Sequence, residues 1–161
     1  MLESFNELEA IEVGLNLEKE GYEFYLAAAE GAANPKVAAH YRQMAHEEKK
    51  HFERFSSYRE QLHNDDLQDS EEELTYLKRL VRMGIFAENG ELADQVKDIH
   101  DEEQVLRLAI RAEKDALLFF HEAARQCVNE TGKRIFDWLL TEERKHLDLL
   151  GEMFEQLHRK G

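Results

Sequence analysis

Apolar residues recur along most of this chain at alternating steps of three and four, the spacing of one face of an α-helix. One such run extends from about Glu3 to Glu30 and ends at GAANP. A second starts at Asn34–Pro35, an N-cap residue followed by a first-turn proline, and reaches about His63. After the polar loop HNDDLQDS, Ser70 and Glu73 form a capping box for a shorter helix carrying Leu74, Leu77, Leu80 and Val81. Asn89–Gly90 punctuates it, and a weaker helical piece with Leu92, Val96 and Ile99 follows. Asp101, with Gln104, opens a third long helix to about Val128. A fourth has Gly132 near its start and runs almost to the C-terminus.

This pattern predicts an all-α fold, a four-helix bundle with a long, partly helical crossover between helices 2 and 3. Two hairpins, about 3–63 and 102–158, have short internal connections and therefore antiparallel helices. Residues 64–101 join them, the wiring of a ferritin-like bundle, so 1–161 reads as a single ferritin-like domain. A single proline and few glycines agree with helix rather than sheet.

The chain matches itself at an offset of 95: Glu18 falls on Glu113, Phe24 on Phe119, Asn34 on Asn129, and EEKKH (47–51) on EERKH (142–146). A duplicated helical hairpin is the simplest account. The repeat alone does not identify a site, because the other two ExxH stretches, EQLH at Glu60–His63 and Glu155–His158, are also 95 apart.

The seams discriminate. The first reads Leu8, Ile11, Leu15, Glu18, Tyr22, Tyr25, Ala29, and the second Val37, Tyr41, Met44, Glu48, His51, Phe55, Tyr58, Leu62. The third reads Leu106, Ile110, Glu113, Leu117, Phe120, Ala124, and the fourth Phe136, Leu139, Glu143, His146, Leu150, Met153, Leu157. Each is apolar except near its middle, where Glu18, Glu48, His51, Glu113, Glu143 and His146 stand. The EQLH residues fall off the seam and read as solvated helix ends. Glu47 and Glu142 read as bystanders on the flank.

Four carboxylates and two imidazoles in one core layer are unfavourable unless compensated, since a single buried unpaired charge costs several kcal/mol. No lysine or arginine occupies these seams. Two divalent cations would balance the four carboxylates, and an oxygen and imidazole donor set without sulfur suits iron, manganese or zinc. A proton-sharing polar layer without metal is the alternative.

Net charge and cysteine content narrow the classes further. A formal charge of −14 argues against nucleic acid or an anionic membrane as partner. The lone Cys127 excludes an internal disulfide or a four-cysteine metal knuckle. With no signal-like start and no apolar stretch of membrane-spanning length, a cytoplasmic protein is expected.

LEKEGYEFY (17–25), MAHEEKKH (44–51), AIRAEKDALLFF (109–120) and LLTEERKH (139–146) together resemble the rubrerythrin and ferritin-like superfamily over nearly the whole chain. The resemblance implies that Glu48 and Glu143 bridge two metals, expected to be iron, with zinc or manganese possible. Glu18 and Glu113 would be terminal carboxylates, and His51 and His146 terminal imidazoles. It implies a di-iron oxidoreductase reducing peroxide or dioxygen, with Tyr25 beside the metals. Rubrerythrins usually carry a four-cysteine iron site, which one cysteine cannot build, so the donor would be external, such as a rubredoxin-like protein. They also carry an extra glutamate where this chain has Ala116. A homodimer is expected from the same resemblance. Ferroxidase-type iron handling and a redox-silent metal-binding interaction protein are the competing functions.

Overall fold

The computed structural model describes residues 7–63 and 92–159. All regular structure among them is helical: α1 (Glu7–Gly31), α2 (Pro35–His63), α3 (Leu92–Lys97), α4 (Glu102–Gln126) and α5 (Glu130–Arg159). The expected Ser70 capping box and its helix lie outside the described residues.

Local chemistry sets the ends. Asn34 Oδ1 accepts from the Lys36 amide at 2.9 Å, and Pro35 occupies the first helical position of α2. Asn129 caps α5 in the same way, accepting from the Thr131 amide at 2.9 Å. Asp101 caps α4 through the Glu103 amide, also at 2.9 Å. The helices α1 and α4 begin 95 residues apart, at Glu7 and Glu102, and so do α2 and α5, at Pro35 and Glu130.

The helix α1 packs on α2, and α4 on α5. The two hairpins meet through α1 against α4 and α2 against α5, while α3 lies on α1. The predicted seams are mostly the buried faces, but Tyr22, Val37 and Leu157 are half-buried and the face of α4 is shifted. On α4, Ile110 and Leu117 are only half-buried, whereas Ala109, Ala112 and Ala116 are buried. Small residues thus line that face and permit close helix approach. Below the central layer, Phe55, Phe120 and Phe136 form an aromatic cluster, with Phe55 5.5 Å and 6.3 Å from the other two ring centroids. Gly132 is buried where Glu7, Tyr58 and Cys127 converge. A β-carbon there would lie 2.4 Å from the Tyr58 hydroxyl. Glu7 accepts from Tyr58 at 2.7 Å and from the Cys127 thiol at 3.0 Å, pinning the start of α1 to the α4–α5 turn. Burial pushes that thiol up to about 12, so it is an inert packing group.

Candidate metal centre

All six seam exceptions meet in the middle of the bundle. Glu18, Glu48, His51, Glu113, Glu143 and His146 are each at most 5% exposed. They form two overlapping groups, Glu18, Glu48, His51 and Glu143, and Glu48, Glu113, Glu143 and His146. Within each group one ligand-type atom per residue lies within 4.8 Å of all the others. Glu48 and Glu143 belong to both groups, so each has a carboxylate positioned between two candidate cation positions.

Each imidazole presents Nδ1 inward. His51 Nδ1 is 3.3 Å from Glu18 Oε2 and 3.2 Å from Glu143 Oε1. His146 Nδ1 is 2.8 Å from Glu48 Oε1, 3.4 Å from Glu113 Oε1 and 3.3 Å from Glu143 Oε2. Despite these short separations, His146 Nδ1 and Glu143 Oε1 have no aligned hydrogen-bond partner among the described residues. His51 Nδ1 does hydrogen-bond Glu18 Oε2, but buried polar atoms left unaligned within a converging cluster of carboxylates and imidazoles suit a ligand set. A hydrogen-bonded polar layer would instead be satisfied internally.

Electrostatics agree. Burial pushes the Glu18, Glu48 and Glu113 carboxyls well above the usual carboxylate range, and the neighbouring Glu143 charge adds to it. Burial also opposes the charge on Glu143, but the facing His146 and His51 rings outweigh it and hold that carboxyl well below the range. Desolvation disfavours charge on both imidazoles, yet the surrounding carboxylates overcome it and both are raised. Bare, the cluster holds protons where a cation would otherwise compensate its charge. The residues therefore fit a pair of divalent cations.

The outward nitrogens overturn one expectation. Glu47 is no bystander: its Oε2 sits 2.7 Å from His146 Nε2, reaching from α2 to the histidine of α5. That contact favours a proton on Nε2 and leaves Nδ1 free to coordinate. Glu142 Oε2 stands 3.7 Å from His51 Nε2, the equivalent position but beyond direct hydrogen-bond range. Each EExxH stretch therefore sends its second glutamate and its histidine into the centre and its first glutamate towards the other hairpin's histidine. The clue was the doubled glutamate. Of the EQLH residues, Glu60, Glu155 and His158 are exposed as expected.

Tyr25 is buried and its hydroxyl donates a short hydrogen bond to Glu113, a residue of the opposite hairpin. Burial and then the Glu113 charge push its phenol well above the ordinary value. Tyr22 is only partly buried and packs against the core. Trp138 covers His51 edge-on at 5.2 Å between centroids, with the Arg54 guanidinium 4.0 Å above the indole. Neither Trp138 nor Arg54 was expected from the seams.

Gly21 was also missed. A β-carbon there would come 3.2 Å from the Glu48 carboxylate, so glycine provides the clearance Glu48 needs. Gly21 and Ala116 stand 95 residues apart. Both line a cavity of about 20 Å³ together with Glu18, Glu48, Glu113 and Glu143. About one probe sphere is enough for a water-sized molecule, so the cavity is water-sized.

A sequence profile of the Rubrerythrin family matches residues 9–157. No curated protein sequence matches the chain closely enough to count as a relative. Among solved structures, a Pyrococcus furiosus protein of undescribed function superposes with a TM-score of 0.71 and 21% identity, covering 96% of this chain and 92% of its own. A ferritin-like diiron-carboxylate protein from Thermotoga maritima gives 0.67 and 21%, covering 96% and 98%. KatB, a manganese catalase from Anabaena, gives 0.69 and 19%, covering 98% of this chain and 76% of its own. These likenesses establish the ferritin-like fold.

Proposed function

The chain belongs to the rubrerythrin family, and on that premise we propose that it is a dinuclear metal oxidoreductase that reduces hydrogen peroxide with electrons from an external donor. The observation that carries this reading is the pair of buried, overlapping ligand groups sharing Glu48 and Glu143 beside a water-sized cavity. Glu18 and His51 would complete one metal position, and Glu113 and His146 the other. Two ferrous ions held there would supply the two electrons that peroxide reduction consumes.

The remaining contributions come from the chain. Glu47 orients His146, and the Tyr25 hydroxyl fixes one oxygen of Glu113. Gly21 and Ala116 keep space open, while Leu17, Phe24 and Leu92 wall the cavity with apolar surface and restrict water. The single cysteine of these 161 residues cannot build a four-cysteine site.

Anaerobic ferrous loading followed by peroxide tests the reading. Uptake of two irons and rapid oxidation, abolished in Glu48→Ala, are expected. Equal rates in that variant, or no stoichiometric uptake, would refute it. A second reading, peroxide disproportionation by a manganese-loaded centre, is supported by the oxygen-rich donor set, which also accepts manganese. Dioxygen evolution without any donor would identify it.

A further inference from the structure

A second cavity, of about 190 Å³, lies at the α1–α2 turn end of the bundle. Its inner wall includes Tyr41, Ala28 and Val96, all buried, and its rim includes Ala33, His100 and Glu102, all exposed. Apolar side chains such as Val37 and Val105 complete the sides. A cavity of about 150 Å³ is enough for a benzene ring, so this one accommodates a single ring bearing two small substituents. Polar groups at the rim, the Glu102 carboxylate and the His100 imidazole, suit hydroxyl substituents.

Tyr41 connects this cavity to the metal centre. Its ring stacks on Tyr25 with centroids 6.1 Å apart and planes 23° apart. Tyr25 in turn meets the His146 ring edge-on, again at 6.1 Å. The Tyr41 hydroxyl is buried without a hydrogen-bond partner among the described residues, a cost that pure packing would avoid by using phenylalanine. The other half of the chain makes that choice: the residues 95 positions on from Tyr25 and Tyr41 are Phe120 and Phe136, whose rings lie 6.4 Å apart. Of these two matched ring pairs, only the one beside the cavity is built of phenols, which are far easier to oxidise than phenyl rings.

We propose that this cavity binds a single-ring hydroquinone and that Tyr41, with Tyr25, carries its electrons to the metal centre. The proposal rests on the peroxide-reducing function above and supplies its donor. The two hydroquinone O–H bonds break, releasing two electrons and two protons as the quinone forms. The peroxide O–O bond breaks, and those two electrons and two protons complete two waters. The rim groups hold the ring against the Tyr41 wall, and electrons pass between the stacked phenols one at a time.

Binding and electron delivery are separable. Titration of the metal-loaded protein with hydroquinone, followed by calorimetry and by NMR of the ring protons, should show one site. Ala27→Phe, which places a ring into the cavity from α1, should abolish that binding. Tyr41→Phe keeps the wall and should bind within about threefold of the parent, yet reduce the peroxide-oxidised centre at least tenfold more slowly. Oxidation of the ferrous protein by peroxide should be unchanged in Ala27→Phe. If that oxidation fails in the parent, the peroxide reading fails while the binding result still stands. Absence of hydroquinone binding, binding unaffected by Ala27→Phe in a protein that melts like the parent, or unchanged reduction in Tyr41→Phe would each overturn the proposal. So would reduction by a protein donor with none by hydroquinone.

Discussion

Removing metal should invert the pH dependence of stability. Glu18, Glu48 and Glu113 have folded-state carboxyls raised well above the usual range, chiefly by burial. In the unfolded chain such carboxyls titrate near pH 4.3. Above that pH the metal-free native state holds protons that the unfolded state has released, so stability falls as the pH rises. The raised His51 and His146 act in the same sense, beginning above about pH 6.5. Glu143 is depressed, so its contribution is present above the unfolded value and is lost only as the pH falls below about 4. Between pH 5 and 8 the net slope is therefore negative. Each unmatched proton contributes about 1.4 kcal/mol per pH unit, so the three carboxyls contribute at most about 4 kcal/mol per unit, and above about pH 6.5 the two imidazoles add at most about 3 more. Urea unfolding of the metal-free protein at pH 5, 6, 7 and 8 should show stability declining by at least about 1 kcal/mol per unit over part of that range. Zinc, which is redox-silent, should replace those protons. Its binding should release protons into a weakly buffered solution, and the loaded protein should keep its stability at pH 8. A flat or rising metal-free profile, or zinc uptake without proton release, would refute the assignment of these residues as a protonated ligand set.

Three further outcomes follow from particular contacts. Glu47→Gln keeps the shape but removes the charged acceptor at His146 Nε2; metal affinity should fall about 10- to 100-fold in a chelator competition, with little change in metal-free stability. Gly21→Ala gains up to about 1 kcal/mol of helix propensity while crowding Glu48, so metal affinity should drop though the metal-free melting temperature does not. Phe136→Ala, which empties the centre of the aromatic cluster, should cost about 3–5 kcal/mol in denaturant unfolding and leave ligand identity unchanged.

The sequence alone determined a good deal. Asn34–Pro35 and Asp101 mark helix starts because capping depends on residues a few positions apart. The seams located Glu18, Glu48, His51, Glu113, Glu143 and His146 because a helix fixes which residues share a face, and burying six ionisable groups demands a common compensating partner. Contacts between hairpins were not legible in that way. That Glu47 serves His146, that Tyr25 serves Glu113, and that Gly21 makes room for Glu48 depend on the rotation and axial stagger of packed helices, which no single-helix period encodes. The same holds for the cavity behind Tyr41. Its phenol reads from sequence as one more seam aromatic, and only the packed bundle places it between an open cavity and the buried centre.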